Sequence, residues 1–167
     1  MSTEHPKDQK AKAVFALVIT SDTRTAKDDE SGRMAVSLIE EAGHSVASRT
    51  VIPNDSEKIR AEVRRLLEDA STQVIVTSGG TGIGVKDRTV EAVSVLLEKE
   101  MPGFGEHFRR LSLDEVGGSA LISRATAGVA GGKLVFCLPG SRNAMGLALS
   151  KIILPNVGHM LWELSRR

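Results

Sequence analysis

The residues best placed to do chemistry form one glycine-rich segment, Thr77-Ser78-Gly79-Gly80-Thr81-Gly82-Ile83-Gly84. It follows a short apolar run and leads through Val85-Lys86-Asp87-Arg88 into a helix-like stretch. Glycines in a strand-to-helix turn expose backbone N–H groups and let a phosphate or a flat ring approach the main chain. They also serve turns that bind nothing, so spacing alone leaves both readings open. The segment is not a Walker A loop, because Val85 follows Gly84 where lysine is required. Nor is it a dinucleotide fingerprint, since Gly80 and Gly82 would need a glycine at position 85. A short-chain reductase turn is one residue longer and works with a tyrosine, and this chain has no tyrosine.

A second candidate is Leu138-Pro139-Gly140-Ser141-Arg142-Asn143, again between an apolar run and a helix-like stretch. If both turns lie on one sheet edge, helix N-termini, the Ser141 hydroxyl and Lys86 or Arg142 would hold a phosphorylated ligand. Taken alone, it reads as an ordinary turn with a solvated arginine.

Asp87 lies between the glycine turn and the Thr89 helix, and Asp55 follows another apolar run. Each has a capping explanation, and Asn54 with Glu57 makes a plausible capping box. Beside a phosphate site, two carboxylates are the hard oxygen ligands expected for Mg²⁺. His5, His44, His107 and His159 are scattered, without zinc spacing, and there is no Gly-x-Ser-x-Gly elbow.

The elements that must position these residues are legible in outline. Apolar, β-branched runs recur at Val14 to Thr20, Val46 to Ile52, Val74 to Thr77 and Leu134 to Leu138, with helix-like stretches between most of them. This order predicts α/β layers with the ligand site at strand carboxyl ends. The first, third and fourth runs suit central strands, and the mixed second run suits a position nearer the edge. Helices are predicted from Gly32 to Ala42, ended by Gly43, from Glu57 to Ala70 on an apolar face of Ile59, Val63, Leu66, Leu67 and Ala70, and from Thr89 to Lys99. From Asn143 to Leu164, Pro155 and Gly158 predict two helical segments with a break.

The chain has 167 residues, which fits one domain over 13–167 behind a flexible N-terminal tail over 1–12. Lys plus Arg number 22 against 21 Asp plus Glu, so the overall charge points to neither nucleic acid nor an acidic membrane surface. With no tyrosine and few other aromatics, base-stacking platforms are hard to build. The single cysteine, Cys137, reads as a small buried hydrophobe. The polar start and the short first apolar run predict no membrane span and a cytoplasmic protein.

Several segments, in order, carry a resemblance: Asp28-Asp29-Glu30-Ser31-Gly32, Glu41-Ala42-Gly43-His44, Ser78-Gly79-Gly80-Thr81-Gly82, Asp87-x-Thr89, Met101-Pro102-Gly103-Phe104-Gly105-Glu106, Ser123-Arg124-Ala125 and Pro139-Gly140-Ser141. From about Ala13 to about Pro155 the chain resembles the MoaB/MogA family of molybdenum-cofactor biosynthesis proteins and the related G domain of gephyrin. The resemblance implies a three-layer α/β/α sandwich with a mostly parallel sheet, and a homo-oligomer, trimer or hexamer. It implies adenylyl transfer, in which the terminal phosphate of molybdopterin attacks the α-phosphorus of Mg-ATP and releases pyrophosphate. Carried over by position, Asp55 and Asp87 are the catalytic carboxylates and Mg²⁺ ligands. Thr20, Ser21, Ser78, Gly79, Gly80, Thr81, Gly82, Thr89, Ser123, Pro139, Gly140 and Ser141 line the pterin and nucleotide site. Glu106 pins the Met101 to Glu106 turn or a subunit contact.

The Pro139-Gly140-Ser141 motif resembles the MoaB branch, some members of which lack adenylyltransferase activity and have no aspartate at the position of Asp55. The presence of both Asp55 and Asp87 leads to the expectation of an active enzyme. Two other readings are a molybdopterin carrier without catalysis, and an interaction module that contacts the molybdenum insertase.

Overall fold

Three of the apolar runs are continuous enough to be covered on both faces, and they form the middle of a sheet. In a computed structural model, which describes residues 11–166, β1 (Val14–Thr20), β2 (Ser45–Ile52), β3 (Val74–Ser78), β4 (Lys99–Glu100), β5 (Thr126–Ala130) and β6 (Lys133–Leu138) make one sheet in the order β2-β1-β3-β6-β5-β4. β2, β1, β3 and β6 are mutually parallel. β5 is antiparallel to both β6 and β4, so it alone runs against the others and the sheet is mostly parallel, as expected. β3 and β6 are buried throughout and β1 nearly so, while mixed β2 lies at an edge.

The strands alternate side chains between two cores, one on each face. On one face Phe15, Leu17, Ile19, Val76 and Phe136 pack against Ala35 and Ile39 of α1 (Glu30–Glu41), Phe104 and Phe108 of α4 (Pro102–Val116), and the C-terminal helical segments. On the other, Ala16, Val18, Ile75, Val135 and Cys137 meet Ile59, Val63 and Leu66 of α2 (Ser56–Glu68) and Ala92 and Val93 of α3 (Thr89–Ser94). Three layers result. Each large apolar side chain removed from water this way contributes about 1.5–3 kcal/mol. Gly43, at φ +87°, ends the first helix as its position predicted.

Four local expectations are corrected. α3 stops at Ser94 rather than Lys99, because the Glu98 N–H bonds the Val129 carbonyl and Lys99-Glu100 pairs with β5. The Asn54–Glu57 capping box does not form; Asp55 is the N-cap of α2, its Oδ1 accepting from the Lys58 N–H at 2.9 Å. Met101 to Glu106 is the entry to α4, not a free turn, with Glu106 exposed.

The fourth concerns the C-terminus, where no break occurs at Pro155 or Gly158. α5 (Arg142–Ala148), a π turn (Leu149–Ile153) and α6 (Leu154–Ser165) run on as one 24-residue helix. The π turn contains Lys151, whose carbonyl a Pro155 ring would strike in a regular helix, and the wider turn relieves that clash. By length and composition this helix reaches the span of a bilayer, but Met145, Ala148, Leu149, Ile152, Ile153 and Val157 lie in the core beside the sheet. The expected N-terminal tail, with His5, falls outside the described residues save for Ala11 and Lys12.

Candidate active site

The chain leaves β1 toward β2 on one side and returns to β3 on the other, so the β1 and β3 carboxyl ends part around a crevice. Ser78 pairs in register with Ile19 on one side and Leu138 on the other, which brings Thr20, the glycine turn and the Pro139–Ser141 turn to one edge. The sheet thus gathers both turns expected from the sequence.

Close backbone contacts hold them together. Gly79 has φ +104°, and a Cβ there would sit 2.3 Å from the Thr20 carbonyl. Its N–H donates to the Leu138 carbonyl at 2.9 Å, and Gly140 packs so that its Cβ would lie 3.2 Å from the Gly79 Cα. The Ser78 hydroxyl donates to the Pro139 carbonyl at 3.2 Å. Thr20 Oγ1 donates to the Ser78 carbonyl at 3.1 Å and lies 3.2 Å from Thr89 Oγ1, both threonines being buried. The Thr89 N–H donates to the Gly80 carbonyl at 3.0 Å. Ser78, Thr81 and Thr89 therefore shape the floor more than they present hydroxyls to solvent.

Asp87 is half-buried and closes the glycine segment on itself. Its Oδ2 accepts from the Gly84 N–H at 2.8 Å while its own N–H donates to the Gly84 carbonyl at 3.0 Å. A Cβ on Gly82 or Gly84 would lie 2.7 or 2.9 Å from that Oδ2, so both glycines make room for the carboxylate. Asp87 does not cap α3, whose N-cap is Arg88 without a side-chain bond. Arg124, part of the Ser123-Arg124-Ala125 segment but given no role from sequence, donates from Nε to the Gly82 carbonyl at 2.8 Å and pairs with Glu91. The Arg124 guanidinium holds the Glu91 carboxyl below its usual range and is itself raised by the pair. Ile83, Val85, Asp87, Arg88, Glu91 and Arg124 surround a depression of about 390 Å³, a size within the range of small-molecule sites.

The remaining predicted residues divide. Ser21 closes its own turn, accepting from the N–H groups of Thr23 at 3.3 Å and Arg24 at 3.1 Å. Ser141 is exposed and caps α5, accepting from the Ala144 N–H at 3.1 Å. The Ser123 hydroxyl accepts from the Ala125 N–H and makes no bond to the glycine turn; its neighbour Arg124 does. Lys86 and Arg142 are exposed. Asp55 is exposed and turned to the N-terminus of α2.

The side chain that faces the glycine turn from the β2–α2 corner is Asn54. Its Oδ1 is buried without a hydrogen-bond partner, and a Cβ on Gly80 would sit 2.7 Å from it and 2.4 Å from Thr89 Oγ1. Its N–H is fixed by Asp22 Oδ1 at 2.9 Å. Capping chemistry drew attention to this residue in the sequence, but nothing there showed which way it points.

Among the described residues no three His, Cys, Asp or Glu side chains gather as a metal cluster. A hard cation brought in with phosphates needs fewer protein ligands. Asp87 and Asp55 each commit one oxygen to a backbone N–H, at Oδ2 and Oδ1, and each keeps the other. The free Asp87 oxygen at the glycine turn suits magnesium bound mainly by its nucleotide, while the free Asp55 oxygen lies at the N-terminus of α2.

The model of the probable molybdopterin binding domain matches residues 16–159. Molybdenum cofactor biosynthesis protein B of Bacillus cereus (strain ATCC 14579) is 45% identical over 166 residues, which cover 99% of this chain and 98% of that one. Among solved structures, a molybdenum cofactor biosynthesis protein B superposes with a TM-score of 0.91 at 45% identity, over 94% of this chain and 98% of the other. The tungsten cofactor synthesizing protein MoaB from Pyrococcus furiosus gives 0.84 at 33% identity, over 93% and 98%. Strand-end turns that meet main chain to main chain, and likeness along nearly the whole length, lead to one conclusion: this chain belongs to the MoaB/MogA family of molybdenum cofactor biosynthesis proteins and carries its molybdopterin-binding domain.

Proposed function

We propose that the chain is a molybdopterin adenylyltransferase, moving AMP from Mg-ATP to the terminal phosphate of molybdopterin with release of pyrophosphate. The observation that carries this reading is Asp87, a carboxylate folded onto the Gly82–Gly84 main chain at the mouth of the β1/β3 crevice. A carboxylate costs free energy beside bound phosphates unless a cation intervenes. Magnesium, when bound with ATP, supplies charge neutralisation, with Asp87 and Asp55 as its protein ligands.

The chain's own part is alignment. The attacking phosphate is anionic at neutral pH, so no general base is needed. Gly79 to Gly82 and Pro139 to Ser141 form the facing walls of the crevice for pterin and nucleotide. Thr20, Ser21, Ser78, Thr81 and Thr89 fix the floor and the approach, and Ser123 flanks Arg124 at the rim. Because Thr20, Ser78 and Thr89 are already bonded to one another and to the two turns, little reorganisation of the floor accompanies transfer. Subunits of a trimer or hexamer would meet through exposed apolar side chains such as Leu113, Val116, Leu121 and Ile122.

The test is pyrophosphate release from Mg-ATP and molybdopterin by the native chain, Asp87→Asn and Asp55→Asn. The proposal expects release by the native chain and its loss in both Asp87→Asn and Asp55→Asn, with folding and assembly unchanged. One observation favours a second reading, a molybdopterin carrier: the β2–α2 corner turns neutral Asn54, not Asp55, toward the glycine turn. Tight molybdopterin binding by the native chain with no pyrophosphate released would select the carrier.

A further inference from the structure

The segment between β1 and α1 belongs to no element, yet it is tied to both sides of the crevice. Asp22 Oδ1 accepts from the Asn54 N–H on the β2–α2 side at 2.9 Å. Arg24 NH1 donates to the Gly140 carbonyl on the β6–α5 side at 3.1 Å, and to Ser31 Oγ at 3.4 Å. The root of the segment is fixed where fully buried Asp29 caps α1, accepting from the Gly32 N–H at 2.8 Å, and pairs with Arg49 at 2.6 Å. Arg24 is therefore held at the crevice by one nitrogen of its guanidinium.

Charge separates Arg24 from the other arginine that touches these turns. Arg124 is bonded to the Gly82 carbonyl but neutralised by Glu91. Arg24 is exposed and has no carboxylate partner among the described residues. Only its NH1 is engaged, which leaves donors on NH2 and Nε for an incoming group. A planar guanidinium with a free edge and an uncompensated charge suits phosphate oxygens, which it can meet with paired hydrogen bonds.

We propose that Arg24 is a substrate-contacting residue that binds a phosphate group of the ligand, with the Asp22 and Asp29 ties presenting it at the crevice. The inference rests on the reading that the crevice takes molybdopterin and ATP. Phosphate is common to both, and the measurement separates them.

The experiment is equilibrium binding of molybdopterin and, separately, of Mg-ATP to the full chain, to Arg24→Gln and to Arg24→Lys, each across a range of salt. Arg24→Gln is expected to weaken one of the two ligands roughly 10- to 100-fold, the scale of a charged hydrogen-bonding pair, and to flatten its salt dependence. Arg24→Lys keeps the charge without the fork, so it should retain the salt dependence while recovering only part of the affinity. The ligand that weakens is the one whose phosphate Arg24 holds. Native affinity and native salt dependence for both ligands in Arg24→Gln would overturn the proposal and leave the functional reading intact. A loss of affinity in Arg24→Gln with the salt dependence unchanged would also overturn it, since that is the mark of a displaced loop. A native chain that binds neither ligand would remove the functional reading, and this inference with it.

Discussion

Gly79 and Asp55 show how differently single residues can be committed. Gly79 combines φ +104° with a backbone carbonyl 2.3 Å from where a Cβ would stand, so the obstacle cannot rotate away. Gly79→Ala is expected to cost about 2 kcal/mol or more in chemical denaturation, since positive-φ strain alone runs to about 1–3 kcal/mol. It should also lose molybdopterin binding, because Thr20 and Gly140 pack against the same atoms. Asp55 carries a cap and a candidate chemical role on one side chain, and two substitutions separate them. Asp55→Ala removes both and should destabilise by about 1 kcal/mol, whereas Asp55→Ser keeps a capping oxygen and should stay within a few tenths. If Asp55→Ser melts like the native chain yet no longer turns over ATP, the carboxylate acts in the chemistry. If its turnover is native, Asp55 is a cap only.

Among the elements, the C-terminal helix invites the clearest test. A proline inside a regular helix costs about 3 kcal/mol, so replacing Pro155 by alanine would normally stabilise by about that much. With the π turn at Leu149–Ile153 already absorbing the strain, Pro155→Ala should shift unfolding free energy by less than about 1 kcal/mol. A gain near the larger figure would mean that the π turn relieves nothing. The same helix shows why reading elements from sequence falls short: proline and glycine announce a break, but a wider turn satisfies the chain as well, and residue types do not distinguish the two. The four long parallel strands were legible because each is an apolar run bounded by turn residues. β4 and β5 were not, since Lys99-Glu100 is short and exposed, and Thr126–Ala130 is small and includes Gly128. Gly128 is required there, because a Cβ would lie 2.4 Å from the Lys99 carbonyl of the paired strand. α4 opens on Pro102-Gly103, residues that signal a turn as readily as a helix start. At the site, the glycine turn and Asp87 were visible in the chain. The outward turn of Asp55, the inward turn of Asn54 and the Arg124 contact with Gly82 depend on how the crossovers aim side chains, which spacing does not encode.

For the molecule as a whole, Cys137 offers a reporter at its centre. It lies in β6 with the thiol buried, and burial pushes its pKa from an ordinary 9.0 up to about 11, the Thr77 side chain offsetting this only in part. β6 is bonded to β3 on one side and β5 on the other, so exposing the thiol requires breaking the sheet at its middle. Thiol labelling near pH 8 should therefore follow global unfolding, and the opening free energy from labelling should equal that from denaturant. A much smaller opening value would reveal a local route to β6. The raised pKa also fixes the sign of the alkaline response. The folded state favours the protonated thiol, so this contribution is whole below about pH 9 and is lost as pH rises toward about 11. The loss is at most roughly 2–3 kcal/mol, at about 1.4 kcal/mol for each tenfold change in the proton equilibrium. Cys137→Ala lacks the thiol, and its stability should fall less steeply than that of the native chain across that interval. Parallel curves would mean that the thiol is not desolvated in the fold, and that the middle of the sheet is more open to water than its packing indicates.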